Sequence, residues 1–174
     1  MKQNFEQSFQ EILRHEGGFV NHPRDPGGIT NLGCTKATYE DWVGHKVSEE
    51  FMRKLQPSHV QALYKVKYWD AVRAGDLPRG LDLCVFDFGI NAGPQRAKRY
   101  LQMMVGAKPD GLIGPATLAA VNNYIRRHSL EMAIDRYQDL RIEYYRKLRT
   151  FATFGRGWLR RVADIRQKAK EISR

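Results

Sequence analysis

A mainly α-helical chain with one irregular, hairpin-bearing segment after its first helix is the fold class the sequence predicts. Three observations carry it. Apolar residues recur at three- and four-residue spacing through most of the 174 residues. Serine, threonine, asparagine or proline stands at the head of most such stretches, where helix N-termini favour them. One early stretch alone, HEGGFVNHPRDPGGITNLG (15–33), crowds five glycines and two prolines together, which a helix interior does not accept.

The elements follow in order. Asn4 is placed to cap the first helix, with Gln7 three residues on. Phe5, Phe9, Ile12 and Leu13 make its apolar stripe. Glu16 lies on that stripe, and Gly17 and Gly18 end the helix behind it. Residues 19–34 read as turns with a short hairpin. Thr35 and Ser48 are placed to cap short helices, and Ser58 with Gln61 to open a longer one through Leu63, Tyr64, Tyr68 and Val72. GLDLCVFDFGIN (80–91) is mostly apolar and predicts a buried central helix. Pro94 starts a helix ending near Val105–Gly106, and Pro115 another after the loop KPDGLIG. Ser129 opens a long amphipathic helix to about Phe151, and a last basic helix begins near Trp158. A composition shift at NAGPQ (91–95) divides the chain into 1–92 and 93–174, read as two regions packed into one globule.

Composition narrows the function classes. No run of eighteen apolar residues is present, so stable membrane insertion is not expected. The N-terminus lacks the basic start and apolar middle of a secretory leader, which predicts a cytoplasmic product awaiting release. Cys34 and Cys84 form neither a disulfide framework nor a metal spacing, so buried thiols, no metal and no cofactor are expected. His15 and His22 flank the acid without ligand partners. Net charge is +10, and residues 126–174 carry fourteen Lys/Arg against six Asp/Glu, so the charge sits toward the C-terminus. Such a surface attracts polyanions: nucleic acid, anionic lipid or an acidic wall polymer. No nucleic-acid-reading motif accompanies it, so no specific nucleic-acid partner is expected. The stretch GWLRRVADIRQKAKEISR is amphipathic and reads first as a helix packed on one side, with wall attraction as a consequence.

The opening stretch carries the chemistry. A glutamate at a helix C-terminus meets the negative end of the helix dipole, and on an apolar stripe it also loses solvent. Both effects favour the neutral, proton-donating carboxyl that a general acid needs. The other reading turns Glu16 outward to water. Asp25 and Thr30 follow in sharply bending turns, where Asp is also a common turn former. Two carboxylates and a hydroxyl together are a glycosidase's equipment. Gly27 and Gly28 either supply backbone angles closed to other residues or let a ligand approach the chain closely. Asn31 either braces the loop or meets substrate. Asp87 and Asn91 share a helix face by their spacing and either line a cleft or pack internally. Trp42, Trp69 and Trp158 are core residues or sugar-stacking platforms.

EGGFVNHPRDPGGITNLGCT resembles the signature of glycoside hydrolase family 108, the N-acetylmuramidases found in many bacteriophage endolysins. FDFGINAGPQRAKRYLQ and KPDGLIGPATLAAV resemble the peptidoglycan-binding-like region that follows it in that family, so the likeness spans roughly residues 6–170. Phe19 stands where the family often has tyrosine, and Cys34 where an aliphatic residue is common. The Glu–Asp–Thr spacing is also similar to that of phage lysozymes, with Thr30 one residue early. The resemblance implies a lysozyme-like helical fold and cleavage of the β-1,4 bond between N-acetylmuramic acid and N-acetylglucosamine. It implies Glu16 as the catalytic glutamate, with Asp25 and Thr30 beside it and Asn31, Gly28, Asp87 and Asn91 toward the glycan. It also implies peptidoglycan strands as partner, a monomeric endolysin, and release from the host bacterial cytoplasm to the wall. A wall-binding protein without turnover and a basic nucleic-acid binder are the competing readings.

Overall fold

The computed structural model describes residues 2–21 and 28–174 and is mainly α-helical across them. No described helix is long and apolar enough to cross a membrane. The chain gathers into two compact units, Lys2–Lys67 and Tyr68–Arg174.

In the first unit, α1 (Lys2–His15) buries Phe5, Phe9 and Ile12 as its stripe predicts. It starts ahead of Asn4, which therefore sits inside the first turn and is not the cap; Lys2 and Gln3 are good helix formers and extend it backward. After Gly18 the chain extends, and Val20 exchanges backbone hydrogen bonds of 2.8 and 2.9 Å with Thr30. β1 (Thr30–Asn31) and β2 (Cys34–Thr35) pair antiparallel, Thr30 opposite Thr35. Leu32 and Gly33 join them at φ 51° and 71°. Two successive positive φ angles make a two-residue turn whose twist matches the strands, and glycine suits the second place.

α2 (Lys36–Val43) begins at Thr35, whose Oγ1 accepts from the Thr38 N–H at 3.1 Å, and closes on Gly44 at φ 77°. α3 (Glu49–Arg53) begins at Ser48, whose Oγ accepts from the Phe51 N–H at 3.0 Å. Both caps stand where the sequence places them. Thr35→Ala removes the first cap and is expected to lower stability by about 1 kcal/mol in urea titrations; an unchanged midpoint would show the cap idle. Between these helices, Lys36 and Lys46 and the Val47 N–H surround Glu40 and hold its carboxyl down at about 2.

α4 (Pro57–Tyr64) starts one residue before the expected Ser58, and Gln56 with His59 forms its capping box. Proline at the first helical position dictates that start, because its missing N–H is one the helix leaves unpaired there anyway. The predicted continuation to Val72 is broken by a π-helical stretch, Lys65–Asp70.

In the second unit, α5 (Leu81–Ala92) is the central helix, with every residue from Leu81 to Gly89 buried. α6 (Pro94–Met104), α7 (Pro115–His128), α8 (Leu130–Arg146) and α9 (Phe151–Ile172) complete it. α6, α8 and α9 pack on α5, and α7 packs on α8. Gly80 precedes α5 at φ +96°, and a side chain there would meet the Ala169 carbonyl of α9 at 2.5 Å. The ends of α8 and α9 depart from expectation. α8 stops at Arg146 rather than near Phe151, and α9 starts at Phe151 rather than near Trp158. Gly155 and Gly157 suggest a break, yet Gly155 is buried inside α9, where a Cβ would meet the Phe151 ring at 2.6 Å. The glycine makes room for an aromatic ring one turn earlier.

Candidate active site

The Glu16 N–H donates to the Ile12 carbonyl at 3.1 Å, so Glu16 extends the hydrogen-bond ladder of α1 by one residue. It is half-buried, not swung out into water. Its carboxyl lies against the hairpin: a methyl group added to Gly33 would sit 2.7 Å from Glu16 Cδ, and closer to Oε2. That position would also be 2.6 Å from the Tyr64 hydroxyl of α4. Three elements therefore meet at one glycine: the end of α1, the hairpin tip and the end of α4. The Tyr64 hydroxyl donates to the Leu32 carbonyl at 2.9 Å, and its ring tilts against Phe9 at 5.5 Å. This ties the hairpin tip to the helix that carries the acid.

The neighbouring parts are similarly fixed. Phe19 leaves the Gly17-Gly18 pair under the Arg53 guanidinium, 4.0 Å from ring centroid to Cζ, a cation–π contact. Burial pushes the Cys34 thiol up to about 11, against the pull of Lys67, so it stays protonated and is no nucleophile at neutral pH. His15 Nε2 approaches Glu11 Oε1 at 3.6 Å on α1.

The other sequence-predicted residues fall into distinct places. Thr30 is half-buried in β1, and its hydroxyl donates to the Gly28 carbonyl at 3.2 Å. Gly28 has φ +64°, a backbone conformation that side-chain-bearing residues rarely adopt. Asp25 and Gly27 lie outside the described residues.

Three candidates for glycan contact have partners within the protein, and two of them are buried. Asn31 is buried, and its amide nitrogen donates to the carbonyls of Met52 at 2.8 Å and Arg53 at 3.3 Å. It braces the last carbonyls of α3, where a helix end leaves acceptors in need of partners. Asp87 is fully buried: Arg141 Nη1 approaches Oδ2 at 2.5 Å, and Arg161 donates to Oδ1 at 2.9 and 2.7 Å. Burial alone would raise the Asp87 carboxyl, but the two guanidinium charges outweigh it and hold it below the usual carboxylate range. Such a group braces a helix bundle and offers no face to a sugar. Asn91 is exposed, but its amide nitrogen turns back on the Asp87 carbonyl at 2.8 Å. Trp69 is buried edge-on to Phe86, Trp158 is half-buried against Tyr145, and Trp42 is half-buried.

Sequence reasoning missed Tyr64 and gave Gly33 no role beyond its place in the motif. A glycine after Leu32 is only a general turn signal, which marks a bend at Gly33 without the contact it makes. Nothing local marks Tyr64, which reads as one more apolar-face residue of α4.

Residues 9–93 match the model of the glycosyl hydrolase 108 family, and residues 94–163 match that of a predicted peptidoglycan domain. The junction between the two falls at the head of α6, inside the second compact unit. The solved structure of SagA from Brucella abortus is similar at 41% identity and a TM-score of 0.86, over 100% of this chain and 98% of that one. No curated protein matches the chain.

Proposed function

The chain belongs to the glycosyl hydrolase 108 family, and from that premise we propose that it is an N-acetylmuramidase of the endolysin kind. It is a glycosidase whose partner is peptidoglycan. The finer reading has Glu16 protonate the oxygen between N-acetylmuramic acid and N-acetylglucosamine as that β-1,4 bond breaks. Asp25 is the second carboxylate, which steadies the oxocarbenium-like centre or positions the attacking water, and Thr30 supplies a hydroxyl beside it. One observation supports this above others: the first helix ends on a half-buried carboxyl set against the hairpin at Gly33. A wall-binding protein without turnover has no use for an acid in that position, since partial burial of a carboxyl costs stability. The +10 net charge favours adsorption to an anionic wall. In this reading the enzyme is a monomer made in a host bacterium and acts once it is released to the wall.

End-group chemistry tests the bond. Purified sacculi are digested, reduced with borohydride and hydrolysed, and the sugar alcohols are identified by mass spectrometry. A muramidase yields muramitol at new ends. Glucosaminitol would make the protein a glucosaminidase, and no new ends would favour the binding reading.

A further inference from the structure

We propose that the corner where α8 turns into α9 docks the protein, without crossing, on a bilayer surface that bears anionic phospholipid headgroups. The inference lies within the second unit and does not depend on the reading of Glu16.

Charge comes first. Residues 144–163 carry six Lys/Arg and no Asp/Glu. One of the six, Arg161, turns inward to Asp87. The other five, Arg146, Lys147, Arg149, Arg156 and Arg160, are exposed, and none has an acidic partner among the described residues. Glu143 and Asp164 bound the stretch, and Glu143 lies against Arg136 at 3.5 Å. Farther along α9 the pattern is the opposite: Arg166 pairs with Asp139, Lys168 with Glu171 and Lys170 with Asp135. The surplus therefore gathers where the two helices join. Arg156 and Arg160 also stand four apart on α9, a like-charge spacing that costs the helix stability. An external anion removes that cost.

An apolar edge accompanies the charge. The stripe of α9 is buried at Val162, Ile165 and Ala169, half-buried at Phe151 and Trp158, and 54% exposed at Phe154. By helical spacing Phe154 continues that stripe past its covered part.

Chemistry selects the partner. The Phe154 ring lies 5.9 Å from Trp158, and Trp158 in turn 5.1 Å from Tyr145, with planes inclined by 34° and 32°. Rings packed on one another form a single apolar mass, whereas a sugar or a base stacks on a separate open platform. An aromatic edge among unpaired cations suits the boundary between headgroups and acyl chains. The rings enter that boundary while arginine and lysine meet the phosphates. A cross-linked glycan offers anions but no apolar phase for Phe154.

The test measures partition of the protein into vesicles by cosedimentation. Vesicles of equal parts phosphatidylcholine and phosphatidylglycerol should bind the wild type at about 0.05 M salt and release it at about 0.5 M. Vesicles of phosphatidylcholine alone should not bind it. Phe154→Ser should lower the partition coefficient about tenfold. Arg149→Gln, Arg156→Gln and Arg160→Gln combined should lower it about a hundredfold. Arg99→Gln, Lys108→Gln and Arg127→Gln combined remove the same charge from exposed positions elsewhere in the unit and should cost less than about tenfold. Equal losses in the two triple variants make the binding a matter of net charge and overturn the proposal, as does equal binding to phosphatidylcholine. Single-stranded DNA bound more tightly than the vesicles, and lost with Phe154→Ser, overturns it in favour of a nucleic acid. Phe154→Ser should digest lipid-free sacculi at the wild-type rate, and a fall matching its loss on vesicles overturns it in favour of the wall.

The wild type gives a second reading should any of these variants fold poorly by circular dichroism. Brominated phosphatidylglycerol should quench the tryptophan emission of the bound protein. Trp158→Phe, which keeps a ring against Tyr145, should lose most of that quenching, since Trp69 is buried and Trp42 belongs to the first unit. Bound wild type without quenching, or quenching unchanged in Trp158→Phe, overturns the proposal.

Discussion

Glu16→Gln is expected to lower the rate of glycan cleavage by about a thousandfold while leaving the protein folded and bound to sacculi. Glutamine matches glutamate in shape and still hydrogen-bonds, so the contacts at Gly33 survive, but it has no proton to give. General acid catalysis is worth roughly 10²–10⁴ in rate, and a thousandfold loss corresponds to about 4 kcal/mol of transition-state stabilisation. The loss should lie in kcat, since the leaving oxygen acquires its need for a proton only as the bond breaks. Pull-down on sacculi and the melting temperature serve as controls and should be unchanged. Residual activity within tenfold of wild type would remove Glu16 from the role of acid and leave Asp25 as the carboxylate to examine.

The second large effect concerns stability, at Asp87. Asp87→Asn leaves the fully buried Arg141 and the nearly buried Arg161 facing each other without their shared anion. Removing one partner from a buried ion pair costs about 3–5 kcal/mol. In a chain of this size that is a fall of roughly 10 °C in melting temperature. Replacing Asp87 and Arg141 together with leucine and methionine should recover part of the loss, because the remaining cost of a buried pair is desolvation. A fall below about 2 °C in the single variant would show that the charges contribute nothing net. Acid should have the same effect as the mutation. The Asp87 carboxyl titrates lower in the folded protein than in the unfolded chain. Its contribution is therefore complete above about pH 4 and is lost as pH falls through the folded value. The double variant should lose less stability in acid than the wild type.

These residues show what a single sequence reveals. The apolar stripe of α1, the glycine pair behind Glu16, the caps at Thr35 and Ser48 and the prolines heading α6 and α7 are local signals, and each one places its element. Ser129 likewise caps α8, accepting from the Met132 N–H at 3.3 Å. The sequence left Asp87 open between cleft and packing because its partners lie 54 and 74 residues away. From sequence, Arg141 is one more charge on an amphipathic helix, and an aspartate amid apolar residues looks like a cleft liner. Asn31 stayed open between loop and substrate for the same reason: the α3 carbonyls it holds are 21 and 22 residues on. The expected gap between Phe151 and Trp158 is helical instead, and the use of Gly155 in it, seating the Phe151 ring, is visible only once both are wound into one helix. The carboxyl at the end of α1 was legible in the chain, and the phenol across Gly33 from it needed three dimensions.

The Leu32–Gly33 turn also acts as a length gauge. A two-residue connection with both φ angles positive admits no extra residue without a change of turn type, and a one-step slip in strand register exchanges the faces of a hairpin. Such a slip would aim Asn31 away from α3 and bring a residue with a side chain into the gap that Gly33 keeps open. Insertions in this enzyme should therefore be tolerated ahead of Thr30 far better than between Thr30 and Thr35.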